Sequence, residues 1–329
     1  MTLLLAAALL VVQAEPPLEL SPTPFAQQER PTLSVQLGPK GKSLITMTDD
    51  GVIRSFDLKK ETFSWASEPR VKPEMDVAVI EPFCIMDVGD KIAASAYLFS
   101  ATYTTVHLED GTRSGGTGGT SAMQKTGAIL VDPKDRWVWL GTERGTMTRL
   151  VVDSVSGWSN RAMKNGGVSA IDVDAKGNDL AVGGEDGTIR FVGNKSCNVD
   201  KKAIFEGRGQ PITAVTWHPK GKDVASGDEG GQVLVRSRRS GKTRLTLDTG
   251  KSAVRCIAFH PKGDWLAVGN GEGRLTIWSS KSGEVIAEAT LDGTPKGVRD
   301  IVVLDKGKRI VVAAGGKELV SFDMTGVGK

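Results

Sequence analysis

Short apolar runs alternate with glycine-marked turns along most of this chain. From Val168 it reads VSAIDVDAKGNDLAVGGEDGTIRFVG, and from Ile212 ITAVTWHPKGKDVASGDEGGQVLVRS. VRCIAFHPKGDWLAVGNGEGRLTIWS follows from Val254, and VRDIVVLDKGKRIVVAAGGKELVSFD from Val298. Each segment predicts three short strands. The first run ends at a Pro-Lys-Gly-type turn, the second at an acidic-Gly turn, and the third alternates apolar and polar. Glycine at each turn supplies the positive φ that tight hairpins need. A fourth, more polar strand leads to the next segment, as in KTRLTLDTG from Lys242.

The pattern is periodic. Turn glycines recur at Gly51, Gly145, Gly187, Gly231 and Gly273, at intervals of 94, 42, 44 and 42 residues, with a further equivalent near Gly316. The first interval is two periods. A period of about 40–45 residues marks a β-propeller blade. LSVQLGPKGKSLITMTDDGVIRSFDL from Leu33 and AILVDPKDRWVWLGTERGTMTRLVV from Ala128 are earlier copies. FCIMDVGDKIAASAYLFSATYTTVHL from Phe83 fills one more, with a shortened first turn and no turn glycine. The expectation is an all-β chain of seven repeats.

These repeats resemble the tryptophan–aspartate (WD) repeat family, most closely in FHPKGDWLAVGNGEGRLTIW from Phe259. The resemblance runs from about Leu33 to Asp323 and implies a seven-bladed β-propeller of four-stranded antiparallel blades. The family's terminal Trp-Asp is Phe56-Asp57, Trp278-Ser279 and Phe322-Asp323 here, and the Gly-His pair before the first strand is missing. The family's buried Asp-His-Ser/Thr-Trp network is therefore not expected, and packing must fix each blade. The chain ends just after the third strand of the last repeat, so LELSPTPFAQQ from Leu18 is expected to supply the outer strand and close the ring.

Composition refines this picture. The 329 residues are 39% apolar, enough for a large core, and the net charge of +3 gives no case for nucleic acid. The apolar run Leu3–Val12 is too short to span a bilayer. With Val12-Gln13-Ala14 after it, the run resembles a signal peptide, although it lacks Lys or Arg. Residues 1–14 are read as that signal and 15–329 as one propeller, secreted or periplasmic. The alternative is an uncleaved tail on a cytoplasmic protein. The odd count of cysteines (Cys84, Cys197, Cys256) excludes a disulfide scaffold. Asn194-Lys195-Ser196 is a glycosylation sequon.

Three sets of residues suggest chemistry. Gly119–Thr126, GTSAMQKT, is one substitution from a phosphate-binding loop, with Gln124 in place of the second glycine. Such a loop needs a helix after it. GAILVD predicts a strand instead, so the segment is read as an outer strand entering the third repeat, with Gly115–Gly119 as its loop, and no nucleotide is expected. His218 and His260 hold one repeat position, with Asp132 and Asp174 equivalent in the two repeats before. These ligand types suit a metal, but equivalent side chains one blade apart need not converge, and neither metal nor other cofactor is expected. Asp87, Asp172 and Asp300 lie in innermost strands; such acids more often bond neighbouring backbone than perform acid–base chemistry. His107 stands alone. No G-x-S-x-G or H-E-x-x-H motif is present, and the chain is read as non-enzymatic.

Charge carries the functional expectation. First-to-second and third-to-fourth turns share one face of the expected fold. The first set carries Lys40, Lys42, Lys134, Arg136, Lys176, Lys220, Lys222, Lys262, Lys306 and Lys308. The second adds Lys59, Lys60, Lys195, Lys201, Lys202, Arg236, Arg238, Arg239, Lys242 and Lys281. Second-to-third turns carry acids: Asp49, Asp50, Glu143, Glu185, Asp186, Asp228, Glu229 and Glu272. The expected function is a protein-interaction scaffold whose basic face takes an acidic protein or another polyanion, with Lys40, Lys42, Lys220, Lys222, Arg236, Arg238, Arg239, Lys242 and Lys262 as its contacts. Nucleic acid is not expected for an exported chain. The alternative is an enzyme or metal protein using the channel mouth.

Overall fold

The computed structural model describes residues 16–67, 83–85, 91–97, 101–107, 109–114, 126–132, 137–151, 157–294 and 297–328. Among them, no helix is long and apolar enough to cross a membrane.

The N-terminal segment gives β1 (Leu18–Glu19) and β2 (Thr23–Gln27). Sheet I is β3 (Thr32–Leu37), β4 (Ser43–Thr48), β5 (Ile53–Asp57) and β6 (Thr62–Ala66). Sheet II is β7 (Phe83–Ile85), β8 (Lys91–Tyr97), β9 (Ala101–His107) and β10 (Arg113–Ser114). Sheet III is β11 (Thr126–Val131), β12 (Trp137–Thr142), β13 (Thr146–Val151) and β14 (Gly157–Arg161). Sheet IV is β15 (Val168–Val173), β16 (Asp179–Gly184), β17 (Thr188–Gly193) and β18 (Val199–Glu206). Sheet V is β19 (Ile212–Trp217), β20 (Asp223–Asp228), β21 (Gln232–Ser237) and β22 (Thr243–Asp248). Sheet VI contains β23 (Val254–Phe259), β24 (Trp265–Asn270), β25 (Arg274–Ser279) and β26 (Val285–Thr290). Sheet VII contains β27 (Asp300–Leu304), β28 (Arg309–Ala313) and β29 (Glu318–Asp323).

The chain is an all-β propeller of antiparallel blades. The expectation of uniformly four-stranded blades needs one correction: six sheets have four strands, and sheet VI has five. The segment from Leu18 divides between two sheets. Thr23–Gln27 pairs antiparallel with β29, as expected of the outer strand, while Leu18–Glu19 adds in parallel to the edge of β26. Leu20 is buried just beyond it, which anchors the two-residue strand.

Apolar side chains pack between neighbouring sheets. Val233, Val235 and Leu247 of sheet V meet Val254, Leu266 and Val268 of sheet VI. Val35, Leu44 and Phe56 of sheet I meet Leu304, Val311 and Leu319 of sheet VII. A repeated joint sets the close approach. A Cβ at Gly183, Gly227 or Gly269 would collide with Ile212, Val254 or Val298, the residue that opens or precedes the next sheet. Only glycine in the second strand leaves room for that branched side chain.

The turn glycines behave as the sequence predicts. Gly51, Gly145, Gly187, Gly231 and Gly273 all have positive φ, between 75° and 88°. In the last repeat the positive φ falls on Gly315, next to Gly316. Thr126–Val131 is an innermost strand, so a strand and not a helix follows Lys125. Among the described residues, Arg113–Ser114 is the outermost strand of sheet II. Gly115–Lys125 lies outside the described residues, as do Asp87, Lys134 and Arg136.

Candidate interaction surface

In sheets III to VI the first turn is built around the residue that follows the innermost strand. Asp174 Oδ1 accepts from the Asn178 and Asp179 amides at 2.5 and 3.1 Å. Asp132 Oδ1 accepts from the Trp137 amide at 3.2 Å. His218 Nδ1 accepts from the Lys220 amide at 3.1 Å, and His260 Nδ1 from the Lys262 amide at 3.3 Å. The four side chains singled out as metal-capable thus hold four separate turns. His218 also packs edge-on against Phe259 of the next sheet, and burial holds its pKa below the ordinary 6.5.

The innermost-strand acids bridge sheets. Asp172 Oδ2 accepts from the Trp217 amide at 2.7 Å, joining sheets IV and V. Asp300 accepts from the Val35 amide at 3.0 Å and from the Ser34 hydroxyl, joining sheets VII and I. Burial raises each carboxyl to about 6, against these hydrogen bonds. Thr213 Oγ1 makes a similar link to the Val254 carbonyl at 2.5 Å. A cavity of about 320 Å³ on the channel is lined by such strands, with small residues such as Gly127, Ala128, Ser169 and Ala214, beside Arg255 and Arg299. Cys197 and Cys256 are buried free thiols whose pKa burial raises, Cys256 strongly. Asn194 of the sequon is also buried, with both ends of its amide committed: Oδ1 accepts from Trp139 Nε1 at 2.8 Å and Nδ2 donates to the Gly177 carbonyl at 3.0 Å.

These turns carry the basic side chains outward. Lys40, Lys42, Lys220, Lys222 and Lys262 are exposed, and none makes an ion pair among the described residues. The acidic turns are different. Arg30 binds Asp49 at 2.6 Å, Arg208 binds Asp228 at 3.3 Å, and Arg190 lies 3.8 Å from Asp186. Glu185 accepts from the Gly167 amide at 2.8 Å. Among the described residues, these four acids thus have partners, whereas the five turn lysines make no ion pair.

RSRRSGKTR from Arg236 divides on folding. Arg236 is 6% exposed, donates to the Glu206 carbonyl at 2.6 Å and lies over the Phe205 ring. Its guanidinium is engaged within the fold by these contacts. Burial also lowers its pKa. The reason is local: the register between β21 and β22 slips between Val235 and Arg236, which turns the guanidinium inward. Arg238 is half-buried over Phe191, bridging Asp179 and Asp200 at 3.3 and 3.1 Å. Arg239 and Lys242 are exposed and unpaired among the described residues. Lys201 and Lys202 lie in the outer strand β18 and not in the connection before it.

Sequence reasoning missed the groove that these residues form. A depression of about 630 Å³ runs between β18 and the connection from β21 to β22. Five basic side chains (Lys202, Arg236, Arg238, Arg239, Lys242) line it against two carboxylates, Asp200 and Glu206. Ile204 and Phe205 supply apolar surface. The available signal was the pairing of KKAIFE with RSRRSGK across two repeats, visible only when the sheets are set side by side.

A family model for the WD domain, G-beta repeat (WD40), matches at residues 159–192, 200–236 and 241–279. These three segments carry WD repeats. Each match starts in or just before the outer strand of one sheet and ends in the third strand of the next. The WD repeats therefore straddle the sheet boundaries, and the groove lies across the second and third matches. No curated protein matches the chain. In these repeats Trp278 holds the family's tryptophan position and donates to Thr276 Oγ1 at 2.9 Å within its own strand.

Proposed function

We propose that this WD-repeat propeller is a non-enzymatic interaction platform whose basic face takes an acidic protein surface or a similar polyanion. The observation that carries the reading is the unpaired set Lys40, Lys42, Lys220, Lys222, Lys262, Arg239 and Lys242 on turns of one face. WD-repeat propellers are typically protein-binding scaffolds. A field of one sign steers an oppositely charged partner. The acids and histidines that would serve a channel enzyme are engaged in turn and sheet contacts, which argues against that alternative.

The proposal includes a closed ring of seven blades. Three features support it: the pairing of β2 with β29, the cluster shared by sheets VII and I, and the Asp300 bridge to Ser34 and Val35. It also includes export, which rests on the apolar N-terminal run and Val12-Gln13-Ala14. Neither a nucleotide nor a cofactor belongs to the proposal, and an exported chain would not meet nucleic acid.

The test is a pull-down with the wild type beside a Lys220→Glu/Lys222→Glu/Arg239→Glu/Lys242→Glu/Lys262→Glu variant. Loss of partners from the variant, with partners eluting from the wild type as salt rises, supports the reading. Equal recovery by both contradicts it.

A further inference from the structure

We propose that the groove along β18 seats an extended acidic segment of a partner protein, added as a strand to the free edge of β18. This rests on the basic-face reading and gives it a location and an occupant.

At the outer edge of one sheet the chain itself supplies such a strand. Beside β26, Leu18 pairs with Ala287 and Glu19 with Glu288, and the Leu20 amide donates to the Glu288 carbonyl at 2.7 Å. Leu20, Met324 and Val327 pack there into one cluster. Among the described residues no strand pairs with the outer edge of β6, β10, β14, β18 or β22, and beside β18 the open edge borders the 630 Å³ groove. The fold thus already holds an added strand at one outer edge and leaves another open.

The groove chemistry selects the occupant. A sheet edge offers main-chain hydrogen bonds, which suit an extended peptide. Side chains of an added strand alternate in direction. The added strand would run past Lys202 and Ile204, which is 39% exposed, on β18, and past Arg239 and Lys242 on the connection from β21 to β22. Arg238, fixed by Asp179 and Asp200, is already ordered beneath them. Asp200 and Glu206 would repel a uniformly anionic polymer, whereas a peptide carrying acids at alternate positions avoids them.

The probe is a fluorescent decapeptide of alternating Glu and Val, titrated into the full chain at low salt. Arg239→Glu/Lys242→Glu should weaken binding about tenfold or more, while Lys40→Glu/Lys262→Glu should leave it unchanged. Peptide binding should slow hydrogen exchange at residues 199–206. Both variants are checked for an unchanged melting temperature. Binding lost only in Lys40→Glu/Lys262→Glu overturns the groove and leaves the basic-face reading standing. No binding of either the peptide or dextran sulfate by the wild type overturns both. Dextran sulfate competing for the groove with equal charge and greater affinity, with no protection of β18 by the peptide, overturns the peptide assignment.

Discussion

His218 Nε2 lies 3.3 Å from the carbonyl oxygen of Gly263, on the next sheet's first turn. The imidazole fills the space where a Cβ of residue 263 would sit, and His260 stands in the same way against Gly307. Both glycines also have positive φ, 78° and 95°. Histidine and glycine therefore form the same joint between two successive pairs of sheets, and the His-Pro position of these two repeats is explained by packing. Gly263→Ala and Gly307→Ala should each cost about 2–4 kcal/mol, combining backbone strain with overpacking. Gly221→Ala, at φ 65° with open space around it, should cost only about 1 kcal/mol. Urea denaturation of the three variants checks the ranking.

Asp172 and Asp300 give the fold a pH signature. Each carboxyl is raised from 3.8 to about 6 by burial. A raised carboxyl pKa means the folded state binds the proton more tightly, so this contribution grows as pH falls from about 7 through 6 towards 4. His218 works in the opposite sense, because its lowered pKa disfavours the protonated fold below the ordinary 6.5. Comparison with Asp300→Asn isolates the carboxyl. The wild type should gain about 1 kcal/mol relative to this variant between pH 7.5 and pH 5. A parallel pH dependence of the two proteins would contradict the assignment.

Charge reversal separates structural from surface arginines. Arg236→Glu places an acid beside the Glu206 carbonyl and removes a buried hydrogen bond, and should cost about 3 kcal/mol or more. Arg239→Glu should shift stability by less than about 0.5 kcal/mol. Thermal melting followed by circular dichroism distinguishes them.

The contrast between these arginines marks the limit of the sequence. Repeat spacing and turn glycines were legible because each turn needs a positive φ at a fixed position. The strand nature of Thr126–Val131 was legible from its apolar run. Arg236 was not, because the register slip beside Val235 breaks the two-residue period. The parallel pairing of Leu18–Glu19 was not legible either: two residues carry no period, and the pairing depends on Leu20 reaching a distant cluster. The described lysines of the first turns are exposed, as surface turns require. The groove was not read, since its walls come from different repeats.

Removing Leu18–Gln28 should destabilise two sheets at once. It uncovers the edges of β26 and β29 and removes buried Leu20 and Gln28. The loss should exceed about 3 kcal/mol, from the buried leucine and the lost pairing, with a lower melting temperature and faster exchange at β29. An unchanged melting temperature would show that the segment does not hold the ring.

The central claim is that partners engage the face carrying the free lysines, and lysine footprinting with an amine-reactive reagent tests it most directly. Lys164, Lys251 and Lys317 are exposed on turns of the opposite face and serve as the reference. On addition of a captured partner, Lys40, Lys220, Lys222, Lys242 and Lys262 should lose reactivity while the three reference lysines keep theirs. Protection of Lys164, Lys251 and Lys317, with the five basic-face lysines still reactive, would contradict the account.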